Sequence, residues 1–327
     1  DYYEDLPDAW PRAYRVARTY GGGQWDIDAR DMSHRQGLEL DEGDFVLAVN
    51  GAEIDPTLDP WTSFIGTAGR PVTLTVSDKP VIDDDAREVV IKPRSGDRNL
   101  RYRDWIESNR ATVDALSNGD VGYIYVPNTG RNGQSDLIRQ FYGQAHKKAL
   151  IVDDRWNGGG QIPTRFIELL NRPVTNYWRV RDGKDWSWPP DSHQGPKAML
   201  INGNAGSGGD MFPWLFRHND LGPIIGTRTW GGLVGISGNP GLIDGGYVSV
   251  PTFGFYETDG TWGVEGHGVD PDIEVLADPA LMREGGDPQL ERAVAEMLAA
   301  IADHPYTLPQ RPASPDRSGM GMLDQDK

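Results

Sequence analysis

Three glycine-rich segments contain the residues whose types and spacing could do chemistry. The first is residues 202–210, where Ser207 lies between Gly206 and Gly208 after the apolar run 198–201. A serine at a sharp strand-to-helix turn exposes its hydroxyl, and the amide that follows it points outward at a helix N-terminus, where the dipole favours negative charge. This geometry suits a nucleophile with an oxyanion donor beside it. The same pattern is also typical of a simple helix cap formed by the serine.

The second segment, residues 153–160, follows the apolar run 149–152 and ends in three consecutive glycines. Glycines allow positive φ angles and close approach of the backbone. Such a loop can aim N–H groups at a developing oxyanion, where one donor contributes roughly 3 kcal/mol to catalysis. A triple glycine is also typical of a flexible turn. Both segments begin where a strand pattern ends, which is where α/β proteins usually bind ligands.

The third segment, residues 263–273, contains Glu265 and His267. In an extended backbone these two side chains would point the same way, because side chains alternate along a strand. A carboxylate at Glu265 could therefore orient a base. The alternative interpretation is a solvated glycine-rich loop.

The composition of the 327-residue chain excludes several classes of function. Its net charge is −17, it has no cysteine, and its six histidines form no metal-binding sequence pair. An acidic surface repels nucleic acid and anionic lipid, and the lack of thiols excludes disulfides, thiolate metal sites and a cysteine nucleophile. No run reaches the roughly 18 apolar residues of a membrane span. We therefore expect no metal, cofactor, nucleic-acid partner or membrane association.

Residues 13–94 are predicted to form a small β-rich domain. Strand patterns occupy 13–18, 72–76 and 87–92, and the stretch 42–51 reads as a turn, a strand and an Asn-Gly hairpin turn. These strands resemble a PDZ domain, a fold that binds peptide termini by adding a strand to a sheet edge. A plain β-barrel spacer is the alternative.

The chain begins with Asp1 rather than Met. We expect a processed or cut product in which residues 1–12 are a linker from a missing upstream region. At the other end, residues 305–327 are polar and rich in proline, which predicts a disordered tail.

Strand and helix patterns alternate from residue 121 to residue 217, which indicates an α/β core within a second domain, residues 95–304. Strands are predicted at 121–126, 149–152, 198–201, 224–225 and 247–250, and helices at 104–117, 137–145, 162–170, 208–217 and 288–301. The predicted fold class is thus α/β (α+β) and multi-domain, with the β-rich domain first.

Taken together, these segments resemble the tricorn branch of the tail-specific, or C-terminal-processing, serine peptidase family. The likeness runs in order through most of the chain and includes the strings EGDFVLAVNG, VGYIYVP, LIVDDRWNGGG, AGSGGD, GTRTWGGLVGI and EGHGVDPDIEV. The resemblance implies a catalytic domain with a crotonase/Clp-like α/β core.

The resemblance also implies the site residues. Ser207 would be the nucleophile, Glu265 would complete the charge relay, and the amides of Gly208 and of Gly159 or Gly160 would form the oxyanion hole. The implied substrates are peptides, including short products of the proteasome. The implied full-length protein is a cytoplasmic homo-oligomer, a hexamer by resemblance.

The catalytic base departs from the tail-specific pattern. Those relatives use a lysine where this chain has Gly232, so a Ser–Lys mechanism is excluded. The tricorn branch uses a histidine preceded by serine in a segment before the PDZ domain. We expect that histidine to lie upstream of Asp1, and the isolated chain to be nearly inactive.

Three histidines within the chain are weaker candidates for the base. His34 follows a serine but lies inside the PDZ-like domain, so we interpret the Ser-His pair as a chance match to the tricorn pattern. His218 would lie about 16 Å along its helix from the predicted nucleophile. His267 is expected to be a strand residue with a structural role.

Two other functions stay open. The chain could be a peptide-binding scaffold in which the PDZ-like domain acts and the peptidase core is inactive. It could also be a crotonase-like acyl-CoA hydratase, although that reaction requires neither a serine at a sharp turn nor a PDZ domain.

Overall fold

The computed structural model describes residues 13–20, 40–238, 240–314, 318 and 321. The chain divides into two compact units, Asp1–Asn109 and Arg110–Lys327. The predicted linker 1–12 and His34 lie outside the described residues. The predicted domain limits 94/95 and the disordered tail stay predictions, and residues 305–314 form neither helix nor strand.

The first unit contains an antiparallel sheet. Its strands are β1 (Tyr14–Arg15), β2 (Phe45–Val49), β3 (Ala52–Glu53), β4 (Val72–Ser77) and β5 (Arg87–Ile91), in the order β1-β2-β4-β5 with β3 paired to β2. Asn50 and Gly51 both have positive φ, 52° and 80°, as the predicted two-residue hairpin turn requires. Alternate residues of β4 are buried with Val49 and Val89 in a small core. The predicted β-rich domain is therefore confirmed, with a first strand shorter than expected.

The second unit is built on a parallel sheet. Helix α1 (Arg98–Leu116) runs across the limit between the two units. The elements that follow are β6 (Val121–Tyr125), α2 (Arg131–Gln144), β7 (Ala149–Asp153), α3 (Pro163–Leu170), β8 (Asn176–Trp178), β9 (Trp186–Trp188), β10 (Lys197–Ile201), α4 (Gly208–His218), β11 (Ile224–Gly226), β12 (Gly235–Ile236), β13 (Pro251–Phe253), β14 (Ile273–Glu274), α5 (Pro279–Arg283) and α6 (Pro288–Asp303).

The main sheet has the order β14-β11-β10-β7-β6, and every neighbouring pair is parallel. Strands β6, β7 and β10 are buried along their whole length, which explains their continuous apolar sequences. Phe166 of α3 and Phe212 of α4 meet edge to face, 5.5 Å apart, within the core. Because parallel strands end at the same edge, the loops after β6, β7 and β10 lie together.

One predicted strand was wrong. Residues 247–250 alternate in hydrophobicity, but Tyr247 makes only an isolated bridge with Gly241. The strand forms next to it, as β13, which pairs with β12. Gly245 has a φ of 81° in the turn that joins Gly241 to Tyr247, and its N–H donates to the Leu242 oxygen at 3.0 Å. Among the residues that the structure describes, no helix is long and apolar enough to cross a membrane.

Candidate active site

Ser207 occupies the sharp turn between β10 and α4. It is the N-cap of α4 and has φ 57° and ψ −116°, a conformation that L-residues rarely adopt. The turn is closed by hydrogen bonds from the Gly209 N–H to the Gly206 oxygen (2.8 Å) and from the Asp210 N–H to the Ser207 oxygen (2.9 Å). Ser207 is half-buried, while its glycine neighbours are buried. The backbone therefore holds a serine at the helix N-terminus in a strained geometry.

Asp210 fixes this turn from inside the helix. Its Oδ2 accepts the Ser207 N–H at 2.7 Å, and its Oδ1 accepts the Gly231 N–H at 2.8 Å. Burial raises the pKa of Asp210, while hydrogen bonds from Thr229 and these amides act in the opposite direction. The sequence analysis gave Asp210 no role, although an acid three residues after an N-cap is a known capping signal.

Asn157 shapes the glycine bend that follows β7. Its Oδ1 accepts the Gly159 N–H at 2.8 Å, and its Nδ2 donates to Asp154 Oδ1 at 2.7 Å. Its backbone oxygen accepts the Gly206 N–H at 3.0 Å. The bend after β7 is thereby tied directly to the serine turn after β10.

The glycines of the bend pack against the serine turn. A β-carbon placed on Gly159 would lie 2.8 Å from Ser207 Cβ and 3.0 Å from the Gly208 nitrogen. A β-carbon on Gly208 would lie 2.7 Å from the Gly160 nitrogen. The structure thus brings Ser207, Gly208, Gly159 and Gly160 together, and only residues without side chains fit at the three glycine positions.

The amides of these glycines are not equivalent. The Gly159 N–H is occupied by Asn157 Oδ1. The N–H groups of Gly160 and Gly208 make no hydrogen bond to any residue that the structure describes. Gly208 is the first residue of α4, where N–H groups lack intrahelical partners. An anion beside Ser207 would therefore find its donors at Gly160 and Gly208.

Glu265 lies in an exposed turn, so the segment 265–267 has the form of the glycine-rich loop that was the alternative, and the extended interpretation was wrong. Val264 and Gly266 have φ angles of 65° and 77°, and the His267 N–H donates to the Val264 oxygen at 3.0 Å. Glycines at positive φ fold this segment back instead of extending it. The Glu265 side chain is exposed.

The Glu265 carboxylate is connected to the serine turn through residues 230–234. Its Oε2 accepts the N–H groups of Leu233 and Val234, both at 2.6 Å. The Trp230 N–H donates to the Ala205 oxygen at 2.9 Å, just before the serine turn. The structure shows no direct hydrogen bond between Glu265 and the serine turn among the described residues.

No histidine in the described part of the chain is hydrogen-bonded to Ser207. His267 Nε2 lies 2.6 Å from Asp270 Oδ2, and its Nδ1 lies 3.2 Å from Arg228. His218 is the last residue of α4 and stacks on Trp214 at 4.9 Å. His267 and His218 are thus both engaged with other partners.

His193 and Lys197 lie just before and at the start of β10, away from the strand end that leads to the serine turn. Burial lowers the pKa of His193 to about 4, and its Nε2 bonds to the Lys147 oxygen at 2.9 Å. Lys197 begins β10 at the strand end opposite the serine turn, and its Nζ donates to the His193 oxygen at 2.8 Å. Burial lowers the pKa of Lys197 to about 8.

A buried ion cluster that the sequence analysis missed supports the end of β7. Arg155 contacts Asp153 at 2.7 Å and Asp287, the N-cap of α6, at 2.8 Å. Gln289 Oε1 also accepts from Arg155, at 3.1 Å. Within the described ranges, no group of three His, Cys, Asp or Glu side chains is arranged to hold a metal ion.

Two family models match the chain. Residues 7–95 match the tricorn protease PDZ domain, and residues 120–275 match peptidase family S41. The PDZ-like domain followed by an α/β peptidase core is confirmed by these matches. The loops that carry Ser207, Gly208, Gly159 and Gly160 all lie within the second matched segment.

Proteins named as tricorn proteases or their homologues match most of this chain. Tricorn protease homolog 1 of Streptomyces coelicolor is 36% identical over 297 residues, which cover 91% of this chain and 28% of the relative. Tricorn protease of Thermoplasma volcanium is 35% identical over 323 residues, covering 95% of this chain and 31% of the relative. The crystal structure of the tricorn protease superposes with a TM-score of 0.82 at 33% identity, covering 90% of this chain and 28% of that one.

The chain thus spans about a third or less of the length of these relatives. Within that span, the likeness covers both units and their order. The chain belongs to peptidase family S41, in its tricorn branch.

Proposed function

We propose that this chain supplies the nucleophile and oxyanion hole of a serine peptidase that hydrolyses peptide bonds. The observation that carries the proposal is the position of Ser207, at positive φ on the N-terminus of α4, against the glycine bend after β7. Membership of a peptidase family supports a hydrolytic reaction, and Ser207 lies within the segment that matches the family. Both donor amides come from the backbone, so they need no reorganisation when charge develops.

In the proposed mechanism, Ser207 Oγ attacks the carbonyl carbon of the scissile peptide. The carbonyl electron pair moves to its oxygen, which accepts the N–H groups of Gly208 and Gly160. Gly159 forms part of the bend but is not an oxyanion donor, since its own N–H donates to Asn157 Oδ1. The general base takes the Ser207 proton during the attack and gives it to the leaving nitrogen, so that collapse of the intermediate expels a neutral amine and leaves an acyl-enzyme. Water then hydrolyses the acyl-enzyme through the same steps.

The base in this mechanism is a histidine outside residues 1–327. This assignment is supported by the other contacts of His193, His218 and His267. Glu265 would orient that imidazole and stabilise its protonated form, as carboxylates do in serine hydrolases. The arriving histidine would approach the carboxylate from solvent, where Glu265 is exposed.

The substrates and assembly are further parts of the proposal. By resemblance to its branch, we infer short peptides, including proteasome products, as substrates. A cytoplasmic homo-oligomer, a hexamer in the full-length protein, follows from the same resemblance. These inferences concern the whole protein, because the chain matches only 28% of the length of its Streptomyces relative.

The test compares four proteins on a panel of fluorogenic peptides. They are the product of the complete reading frame, its Ser207→Ala variant, residues 1–327 alone, and the same chain with Ser207→Ala. We expect turnover only in the first protein. Turnover that persists in the Ser207→Ala variant of the complete protein would contradict the proposed nucleophile. No turnover in the complete protein would leave the peptide-binding scaffold as the better account.

A further inference from the structure

Thr129 has a buried hydroxyl that the proposed mechanism does not use. The residue lies between the end of β6 and the start of α2, and it has no exposed surface. Its Oγ1 has no hydrogen-bond partner among the residues that the structure describes. A buried hydroxyl without a partner destabilises a fold, so its presence calls for another explanation.

The Thr129 hydroxyl lies beside the two residues whose amides are the proposed oxyanion donors. A β-carbon built on Gly208 would fall 2.1 Å from Thr129 Oγ1, 2.5 Å from the Gly160 oxygen and 2.7 Å from the Gly160 nitrogen. The hydroxyl therefore lies directly against the Gly208 backbone, on the side where Gly160 approaches. Strand β6 is parallel to β7, so Thr129 enters the site from the same sheet edge as the glycine bend.

The backbone of Thr129 is held on both sides. Its N–H donates to the Gly159 oxygen at 3.0 Å, and its oxygen accepts the Ile162 N–H at 3.1 Å. On the neighbouring residue, Asn128 Oδ1 accepts the Gly130 N–H at 3.0 Å. The backbone of Thr129 is thus held in place, and the hydroxyl hydrogen is able to rotate toward a new acceptor.

We propose that Thr129 Oγ1–H is a third donor of the oxyanion hole. This inference rests on the proposed function. As Ser207 Oγ bonds to the substrate carbon, the carbonyl electron pair moves to oxygen, and the Thr129 hydroxyl donates a hydrogen bond to it without losing its proton. Because the hydroxyl has no partner beforehand, this interaction is gained as charge develops, which is the kind of interaction that raises kcat.

The alternative is that Thr129 only fills space beside Gly208. A threonine that acts through its shape is replaced well by valine, which has the same outline without the hydroxyl. A threonine that acts through its hydroxyl is replaced well by serine, which keeps the donor and loses a methyl group. The two substitutions therefore give opposite results under the two accounts.

The experiment uses the product of the complete reading frame with Thr129→Val, Thr129→Ser and Ser207→Ala. kcat and KM are measured on one fluorogenic peptide, and thermal unfolding is measured for each protein. We expect Thr129→Val to lower kcat roughly 100-fold, the effect of losing one oxyanion donor, with KM little changed. Thr129→Ser is expected to keep most of the activity, and Thr129→Val is expected to unfold at no lower temperature than the wild type.

A kcat for Thr129→Val within about twofold of the wild type would overturn the inference, since one lost donor predicts a far larger effect. The proposed function is judged separately, because it fails if Ser207→Ala stays active. A second measurement covers the case in which a variant misfolds. In a crystal structure of the wild type with a peptide boronate on Ser207, Thr129 Oγ1 should bond to the boronate oxygen in the hole. A hydroxyl turned away from that oxygen would refute the inference.

Discussion

Gly159 lies so close to Ser207 that a β-carbon on the glycine would be 2.8 Å from the serine Cβ. The two residues are 48 positions apart in the chain, on loops that follow the adjacent parallel strands β7 and β10. Asn157 strengthens this relationship, because it binds the Gly159 N–H with its side chain and the Gly206 N–H with its backbone oxygen. The proposed site is therefore assembled by the sheet, and its geometry depends on glycines at fixed places.

The backbone strain at Ser207 predicts that glycine at this position gives a more stable protein than alanine. Its φ of 57° and ψ of −116° suit glycine better than alanine. We expect Ser207→Gly to exceed Ser207→Ala by about 1 kcal/mol in free energy of unfolding, because relief of strain outweighs the added freedom of the unfolded chain. Urea denaturation measures this difference. Ser207→Ala more stable than Ser207→Gly would show that the turn has another conformation.

Gly208 is predicted to tolerate no side chain. A β-carbon there would meet Thr129 Oγ1 at 2.1 Å and the Gly160 oxygen at 2.5 Å, and neither belongs to a flexible side-chain end. We expect Gly208→Ala to lower the free energy of unfolding by about 1 to 3 kcal/mol. Gly203 in the same loop is the matched control, since its β-carbon would have only the Arg228 oxygen nearby, at 3.6 Å. Equal effects of the two substitutions in urea denaturation would contradict the packing described.

Glu265→Gln is expected to lower the kcat of the complete protein roughly 100-fold, because the neutral amide no longer stabilises a protonated imidazole. Exposure of Glu265 makes the effect smaller than for a buried triad carboxylate. Glu274→Gln, an exposed change on β14, is the control and should leave kcat within about twofold, since it alters surface charge alone. Steady-state kinetics on a fluorogenic peptide makes the comparison. Unchanged kcat in Glu265→Gln would remove Glu265 from the mechanism.

Arg155 is predicted to anchor the end of β7. Lysine at this position keeps the charge but loses the planar fork that contacts both Asp153 and Asp287. We expect Arg155→Lys to cost about 3 kcal/mol of unfolding free energy, because it leaves buried carboxylates poorly paired. Arg292→Lys, in an exposed pair with Glu296, should cost less than about 0.5 kcal/mol. Similar losses for both variants in chemical denaturation would refute the anchoring role.

His193 is predicted to make the fold sensitive to acid. Its pKa is lowered from 6.5 to about 4, first by burial and then by the charge of Lys197. The unfolded chain therefore binds more protons than the folded one between those values, so stability is lost as pH falls from about 6.5 to about 4. His193→Gln keeps a donor for the Lys147 oxygen but cannot titrate in this range.

Thermal unfolding across pH 4 to 6.5 tests this behaviour, with the exposed His304 changed to Gln as the control. His193→Gln should show a flatter dependence of melting temperature on pH than the wild type and His304→Gln. Parallel curves for all three proteins would show that the His193 imidazole is not buried as described.

Much of the peptidase core was predictable because its signals are local. The apolar runs 149–152 and 198–201 indicate buried strands, and each is followed by a glycine-rich loop of the proposed site. The Asn50–Gly51 turn likewise specifies its hairpin from two residues. Patterns of this kind depend on neighbours in the chain, so sequence reasoning finds them.

The features that were missed or wrong depend on distant partners. Capture of the Gly159 N–H by Asn157 and the contact between Arg155 and Asp287 involve geometry that spacing does not encode. The turn at Glu265 is set by positive φ angles at Val264 and Gly266, of which only the glycine gives a signal. The unpartnered hydroxyl of Thr129 is visible only once the packing is known.

The most direct test of the central claim is covalent labelling of the complete protein with a fluorophosphonate, followed by peptide mass spectrometry. The account predicts one adduct, on Ser207, that disappears in Ser207→Ala and weakens strongly in Glu265→Gln. A protein that binds peptides normally but acquires no adduct at Ser207 would contradict it.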